Sequence, residues 1–188
     1  VVGAGVFGLW VARAVRAEGL SVLVADASGP GAGASGGPVG ALAPHMPARP
    51  TPFKRMQAAA LAALPDEIAA LEAETGRAAG YVRSGRLAPV GSDAARARIA
   101  EDQAAAPALW SGATLDWLAA PPPGTLAPEA CPHGVLRDTV SARIDPAAYV
   151  AALVAALPEG ALLRGWRLRG CVPGRAEFDA GAICARHV

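Results

Sequence analysis

Val1-Val2-Gly3-Ala4-Gly5-Val6-Phe7-Gly8, and the run Ser21-Val22-Leu23-Val24-Ala25-Asp26 that follows it, decide how this chain folds. Val1-Val2 reads as the tail of a strand, the glycines as a tight turn, and Leu9 to Glu18 as a helix that Gly19 stops. Ser21 to Ala25 reads as the next strand. Such a strand–turn–helix–strand unit offers unpaired backbone N–H groups and the positive end of a helix dipole to a pyrophosphate. Gly3 permits the turn, Gly5 lets backbone approach phosphate, and Gly8 lets helix and strand pack closely. Asp26 stands where a carboxylate accepts hydrogen bonds from ribose hydroxyls. A bare GxGxxG also marks ordinary glycine-rich turns. Here the flanking strand, small Ala12, the Gly19 stop and the spaced acid accompany it.

Composition narrows the class. The 188 residues are 53% hydrophobic and 18% charged, with a net charge of +1. That length suits one sizeable core, or one domain and part of a second. Near-neutral charge without a basic run argues against a nucleic-acid surface. No apolar stretch approaches the length of a membrane span, so no membrane partner is expected. Cys131, Cys171 and Cys184 are odd in number and lack CxxC spacing, which points to a reducing, cytoplasmic setting. Oligomeric state is not legible. The short first strand, and a last stretch from Ile183 to Val188 that resembles a strand beginning, lead us to expect a piece of a longer protein.

Residues 28 to 51 read as a long loop rich in Gly, Ala, Ser and Pro. That composition suits a flexible linker, and equally a backbone lying against a ligand; its place after the glycine motif favours the ligand. Pro52 to Leu64 and Asp66 to Thr75 read as two helices, Tyr81 to Val90 as a strand, and Ala94 to Gln103 as a short helix with solvated arginines. Leu115 to Pro128 reads as a proline-rich connection, Val135-Leu136 and Thr139 to Ile144 as short strands. Asp145-Pro146 starts a helix, and Ala161 to Leu168 returns as a strand to the first sheet. His45, His133 and His187 are isolated, Cys131-Pro-His133 has no companion ligands, and Arg83 and Arg86 read as structural or solvated; no metal site is expected.

Taken together, Gly3 to Gly8 with Asp26, Gly33-Ala-Ser-Gly36 with Val39-Gly-Ala-Leu-Ala-Pro44, Glu74-Thr-Gly76 leading to Tyr81-Val-Arg-Ser-Gly-Arg-Leu87, and Ile144-Asp-Pro146 resemble the FAD-dependent D-amino-acid oxidase family, particularly its glycine-oxidase-like and sarcosine-oxidase-like members. The resemblance implies an α/β protein: a Rossmann-like FAD/NAD(P)-binding domain with an inserted α+β substrate-domain segment. Its boundaries would be 1–50 for the FAD-binding βαβ unit and loop, 51–133 for the insertion and 134–188 for the return. It implies FAD as cofactor and a small amine or amino acid as substrate, with hydride passing from the amine-bearing carbon to flavin N5. Position by position, Gly3, Gly5, Val6, Phe7 and Gly8 would surround the pyrophosphate. Asp26 and Ala27 would meet the adenosine ribose, and Ala34 and Ser35 the phosphates. Val39, Gly40 and Ala41 would pass beside the ribityl chain and flavin, with the Arg167 backbone against adenine. The family more often has Glu at Asp26. Its substrate arginine and catalytic residues fall in a C-terminal half expected beyond this chain, so the 188 residues alone should be inactive. Rival readings are the flavin domain of a tRNA-modifying enzyme, a non-catalytic dinucleotide-binding fragment and a nicotinamide dehydrogenase.

Overall fold

Residues 1–186 are described by a computed structural model, and they form two units. The first comprises Val1–Gly40, Ala69–Gly80 and the chain from Asp145 onward; the second comprises Ala41–Ile68 and Tyr81–Ile144.

The first unit is organised around the strand Val24–Asp26. On one side Ala25 forms a parallel bridge with Val2, its N–H reaching Val1 O at 3.0 Å and its carbonyl accepting from Gly3 N at 2.8 Å. On the other side the strand pairs in parallel with Leu162–Arg164, Val24 opposite Leu162 and Asp26 opposite Arg164. The apolar run Ser21 to Ala25 thus becomes a central strand, though only its last residues are paired. The helix Val6–Ala17 makes the crossover, with Leu9 and Ala12 fully buried. Gly19, at φ +75°, closes it. A second helix, Pro146–Ala155, begins as the Asp-Pro pair predicts: the Asp145 carboxylate accepts from Ala148 N at 3.0 Å. It contacts the first helix through Trp10, whose indole N–H donates to the Tyr149 hydroxyl, and through Arg16, which donates to Ala156 O. An antiparallel meander, Leu168–Val172, Arg175–Phe178 and Gly181–Cys184, follows with its middle strand at the centre. It buries Ala176 and Phe178 against Ala25, with Trp166 edge-on to Phe178. The sequence suggests a strand at Ile183 to Val188; strand geometry is seen at Gly181–Cys184, and His187 and Val188 lie outside the described residues.

In the second unit Val135–Asp138 is the middle strand of an antiparallel sheet, flanked by Arg86–Pro89 and Leu115–Leu118. The last of these sits in the stretch read as a bare connection. Its alternation explains it: Leu115 is buried, and Asp116 pairs across the strands with Arg137 at 2.9 Å. A smaller pair joins Gly40–Leu42 to Ala142–Ile144, inside the expected long loop. Ala58, Ala106, Trp110, Leu115 and Val140 form one core cluster. The charged segment read as one helix is two, Asp93–Arg96, capped by Ser92, and Ile99–Leu109. Of its arginines, Arg96 is not merely solvated: its guanidinium lies 4.4 Å from the centre of the Trp117 ring.

Pro52–Thr75 is one helix rather than two, with Pro65 inside it. A proline has no N–H for the carbonyl four residues earlier, here that of Leu61, and normally ends or kinks a helix. The orphaned carbonyl has another donor. Arg83 Nη2 reaches Leu61 O at 2.6 Å. A guanidinium from another segment therefore replaces the bond that proline removes, which local sequence cannot reveal. We predict that Arg83→Ala lowers stability by about 1–2 kcal/mol. In a Pro65→Ala background, where residue 65 can donate to Leu61 O itself, the same change should cost much less. Equal costs in the two backgrounds, measured by chemical denaturation, would refute this account.

Candidate functional site

The glycine turn is shaped by one unusual backbone conformation and one close approach. Gly3 adopts φ +99°, a conformation that L side chains rarely take. A β-carbon on Gly8 would stand 1.9 Å from Gly3 O, so the helix can begin against the end of the strand only without one. Gly5 precedes the helix in an extended conformation and offers no side-chain cap. The first turn carries no acidic residue, so the positive end of the helix is left to something else. Ser35 partly meets that need. Its Oγ accepts from Val6 N at 3.0 Å, which leaves the hydroxyl proton free to donate outward.

Ser35 is held by the glycine-rich loop, whose middle forms a short 3₁₀ turn, Ala34–Gly36. Gly31 N bonds Ala4 O at 3.0 Å, tying loop to turn. A β-carbon on Gly36 would sit 2.2 Å from Gly31 O. Some of these small residues thus serve the chain's own backbone. Others face open space: a β-carbon at Gly33 would meet nothing within 4 Å, whereas one at Gly5 in the turn would crowd Ser35 Oγ at 3.1 Å.

Asp26 does more than await a ribose. Its Oδ2 accepts from Ala4 N at 2.7 Å, and its Oδ1 from Ser28 N at 2.8 Å and Gly29 N at 2.6 Å. A carboxylate offers about four lone-pair sites, so capacity for a ligand hydroxyl remains. Partial burial alone would raise the Asp26 pKa; the three backbone N–H bonds outweigh it and hold the carboxyl below its ordinary range.

A cavity of about 370 Å³ opens where these groups meet. Gly3, Gly5, Asp26, Ala27, Ala34 and Ser35 line it, so six of the residues singled out in the sequence come together. Val6, Phe7 and Gly8 form the first turn of the helix beside it. Phe7 is 91% exposed and Val39 77%, more than any other exposed large apolar side chain described in this unit. Val39 precedes the strand Gly40–Leu42, to which Gly40 and Ala41 belong, and none of the three lines the cavity. Nor does Arg167, whose backbone N–H donates to Asp179 Oδ1 at 3.0 Å and whose carbonyl accepts from Asp179 N at 3.1 Å. Its neighbours Trp166 and Leu168 line the cavity instead, and sequence reasoning missed both. The available signal was the aromatic residue just after the return strand.

The donor set suits a dinucleotide: a helix N-terminus for the pyrophosphate, a hydroxyl beside it, an acid at ribose distance and glycines where side chains would intrude. Elsewhere, His45 bonds Gln57 Oε1 through both its backbone N–H and Nδ1, at 2.7 and 2.9 Å, with its ring edge-on to Phe53. His133 Nδ1 meets Asp93 at 3.0 Å, and Cys131 is buried. Arg86 Nε bonds the buried Asp138 at 3.0 Å. Among the described residues no group of His, Cys, Asp or Glu is arranged to hold a metal ion, and no helix is long and apolar enough to cross a membrane.

A family model described as "FAD dependent oxidoreductase" matches residues 1–165. Solved structures share the fold. Glycine oxidase from Geobacillus kaustophilus superposes with a TM-score of 0.80 at 19% identity, over 98% of this chain and 52% of its own. L-Amino acid deaminase from Proteus myxofaciens gives 0.74 at 15% identity, over 97% and 42%. Iminodiacetate oxidase from Chelativorans sp. BNC1 gives 0.71 at 18%, over 98% and 52%. The chain thus spans about half the length of these proteins. No curated protein matches it in sequence.

Two predictions follow from the geometry. Gly36→Ala must displace the Gly31 carbonyl and should cost about 2–4 kcal/mol, whereas Gly37→Ala meets only an ordinary 3.7 Å contact and should stay within about 0.5 kcal/mol. Similar unfolding midpoints for the two variants would contradict the proposed contact. Asp26 gives a pH signature. Because its folded pKa is depressed, its stabilisation is complete above the unfolded value of about 3.9 and is lost as pH falls through the folded one. The stability gap between the protein and Asp26→Asn should therefore be flat from neutral pH to about 5 and close below about 4. A gap that persists unchanged at low pH would sink the assignment.

Proposed function

We propose that this chain, which belongs to the FAD dependent oxidoreductase family, forms the adenosine- and phosphate-binding part of a flavoenzyme that oxidises a small amine or amino acid. The observation that carries the reading is the convergence of Val6 N–H, the Ser35 hydroxyl and the Asp26 carboxylate around the glycine turn. In this assignment Gly3, Gly5, Val6, Phe7 and Gly8 surround the pyrophosphate, and Ala34 and Ser35 add donors to it. Asp26 and Ala27 meet the ribose. Val39, Gly40 and Ala41 run beside the ribityl chain and flavin, and the backbone at Arg167, between the return strand and the meander, flanks the adenine, with Trp166 offering an aromatic face. The first unit is the cofactor-binding part and the second a portion of the substrate domain.

Bound FAD supplies an acceptor for the hydride leaving the amine-bearing carbon; the protein binds, orients and shields. The substrate class is supported by the names of the similar structures, a glycine oxidase, an iminodiacetate oxidase and an L-amino acid deaminase, each of which denotes a small amine-bearing acid. Among the residues here, the exposed apolar Val39 suits a flavin edge better than open water. We assign the protein to the cytoplasm, a reading supported by free cysteines, two of them exposed.

The test is spectroscopic. The intact protein should carry flavin absorption that is released on denaturation, and should oxidise small amines or amino acids. Gly5→Val places a branched side chain in the gap beside Ser35 and should abolish flavin retention. Ser35→Ala removes one donor and should weaken FAD affinity by about ten-fold. A protein that binds NAD instead of FAD, or a Gly5→Val variant with full flavin occupancy, would overturn the assignment.

A further inference from the structure

His45, outside the dinucleotide cavity, is held by three contacts. Its backbone N–H lies 2.7 Å from Gln57 Oε1, and its Nδ1 lies 2.9 Å from the same atom. The first bond orients the amide. A backbone N–H can only donate, so the Gln57 atom it meets is the oxygen and not the amide nitrogen. The second bond then fixes the imidazole. An amide oxygen can only accept, so Nδ1 carries the hydrogen, and in neutral His45 the bare lone pair stands at Nε2. Phe53 adds the third contact, its ring edge-on to the imidazole at 5.4 Å and 79°. Phe53 and Gln57 lie one turn apart on the helix Pro52–Thr75, so one helix face sets both the tautomer and the tilt of the ring.

A histidine on the surface needs none of this. His45 is exposed, and among the described residues its Nε2 has no hydrogen-bond partner. An imidazole with one nitrogen anchored and the other bare serves either a metal or an N–H donor and its proton. No group of His, Cys, Asp or Glu among the described residues is arranged to hold a metal ion, which leaves the proton. Gln57 suits that task because it is neutral. The Nδ1–H bond to Oε1 survives when Nε2 is protonated, so His45 gains and loses a proton without giving up its anchor. A carboxylate in that place would stabilise the imidazolium and retain the proton. Charged groups on the neighbouring segments are engaged elsewhere: Lys54 Nζ donates to Ala48 O, Arg49 pairs with Glu101, and Asp102 accepts from Ala48 N. Arg55 is exposed on the helix.

We propose that His45 Nε2 accepts a proton from the ammonium group of the amine substrate, with Gln57 as the residue that positions it. The proposal rests on the flavoenzyme reading above. There Ala41 runs beside the flavin, and His45 follows four residues later within the same unit. At neutral pH an amine arrives chiefly as its ammonium ion, which has no nitrogen lone pair with which to form an imine. Transfer of one proton to Nε2 breaks an N–H bond, leaves its electron pair on nitrogen and converts His45 to an imidazolium. The nitrogen pair then forms the C=N bond as hydride departs from the carbon, and Nε2 returns its proton to solvent.

NMR and kinetics on the intact protein test this together. The imidazole nitrogen shifts of neutral His45 should show Nδ1 protonated and Nε2 bare; the opposite tautomer overturns the proposal whatever the turnover. The substrate is glycine, iminodiacetate or an L-amino acid, whichever is oxidised fastest. Its kcat/KM should follow a bell, with an acid limb that coincides with the NMR titration of His45 and an alkaline limb set by the substrate's own ammonium. His45→Ala should retain flavin, lose the acid limb and lower kcat about 100-fold. Gln57→Leu should mix the tautomers and lower kcat with KM nearly unchanged. Gln57→Glu should restore the Nδ1–H tautomer and move the acid limb to higher pH. Should a variant not fold, coincidence of the acid limb with the His45 titration in the unsubstituted protein decides. An active, flavin-bearing protein whose His45→Ala variant keeps the acid limb, or whose Gln57→Glu variant leaves it in place, overturns this inference and leaves the flavoenzyme reading standing. A protein that carries no flavin and oxidises no amine overturns both.

Discussion

The Asp26 carboxylate accepting Ala4, Ser28 and Gly29 N–H groups is the bond set on which the first unit depends. One side chain at the end of the central strand holds the glycine turn on one side and the start of the glycine-rich loop on the other. Without it, Ala4 N, in a fully buried residue, would have no partner, and the loop that delivers Ser35 would lose its first anchor. Helix start, strand end and loop are therefore one cooperative piece of backbone. The cavity between them is held in shape by the chain's own backbone bonds, which limits the ordering that binding must bring about.

That double duty bears on the choice of Asp. A carboxylate that caps two backbone segments must keep its oxygens near the strand end, and the short aspartate arm does so. A ribose hydroxyl then meets an acceptor already oriented by three bonds. The carboxyl is also held ionised by those bonds. The turn thereby presents an anion on the ribose side and, on the phosphate side, the positive end of a helix whose first turn carries no acidic residue, a polarity that matches an adenosine joined to a pyrophosphate.

Much of this was legible because it is local. Gly3, Gly5, Gly8 and Asp26 lie within one strand–turn–helix–strand unit, where spacing alone predicts geometry, and the Asp145-Pro146 helix start is equally short-range. What escaped depends on partners distant in sequence. Leu115–Leu118 looked like a connection because its strand identity comes from pairing with Val135–Asp138. The helix through Pro65 looked like two because its missing donor comes from Arg83. Trp166 and Leu168 could be placed at the cavity only once the return strand had a register. The roles of individual loop glycines were hidden for the same reason: composition shows that small residues are required, and only coordinates separate Gly36, pressed against Gly31 O, from Gly37 beside it.

A site of this kind places its demands on backbone rather than on side-chain identity. The contacts that shape it are N–H and carbonyl groups of Val1, Gly3, Ala4, Ala25, Ser28, Gly29 and Gly31, and the only side chains required are one carboxylate and one hydroxyl. Most remaining positions need only be small or apolar. A backbone-built cradle of that sort is compatible with a TM-score of 0.80 at 19% identity, since packing tolerates many apolar combinations while the turn tolerates few.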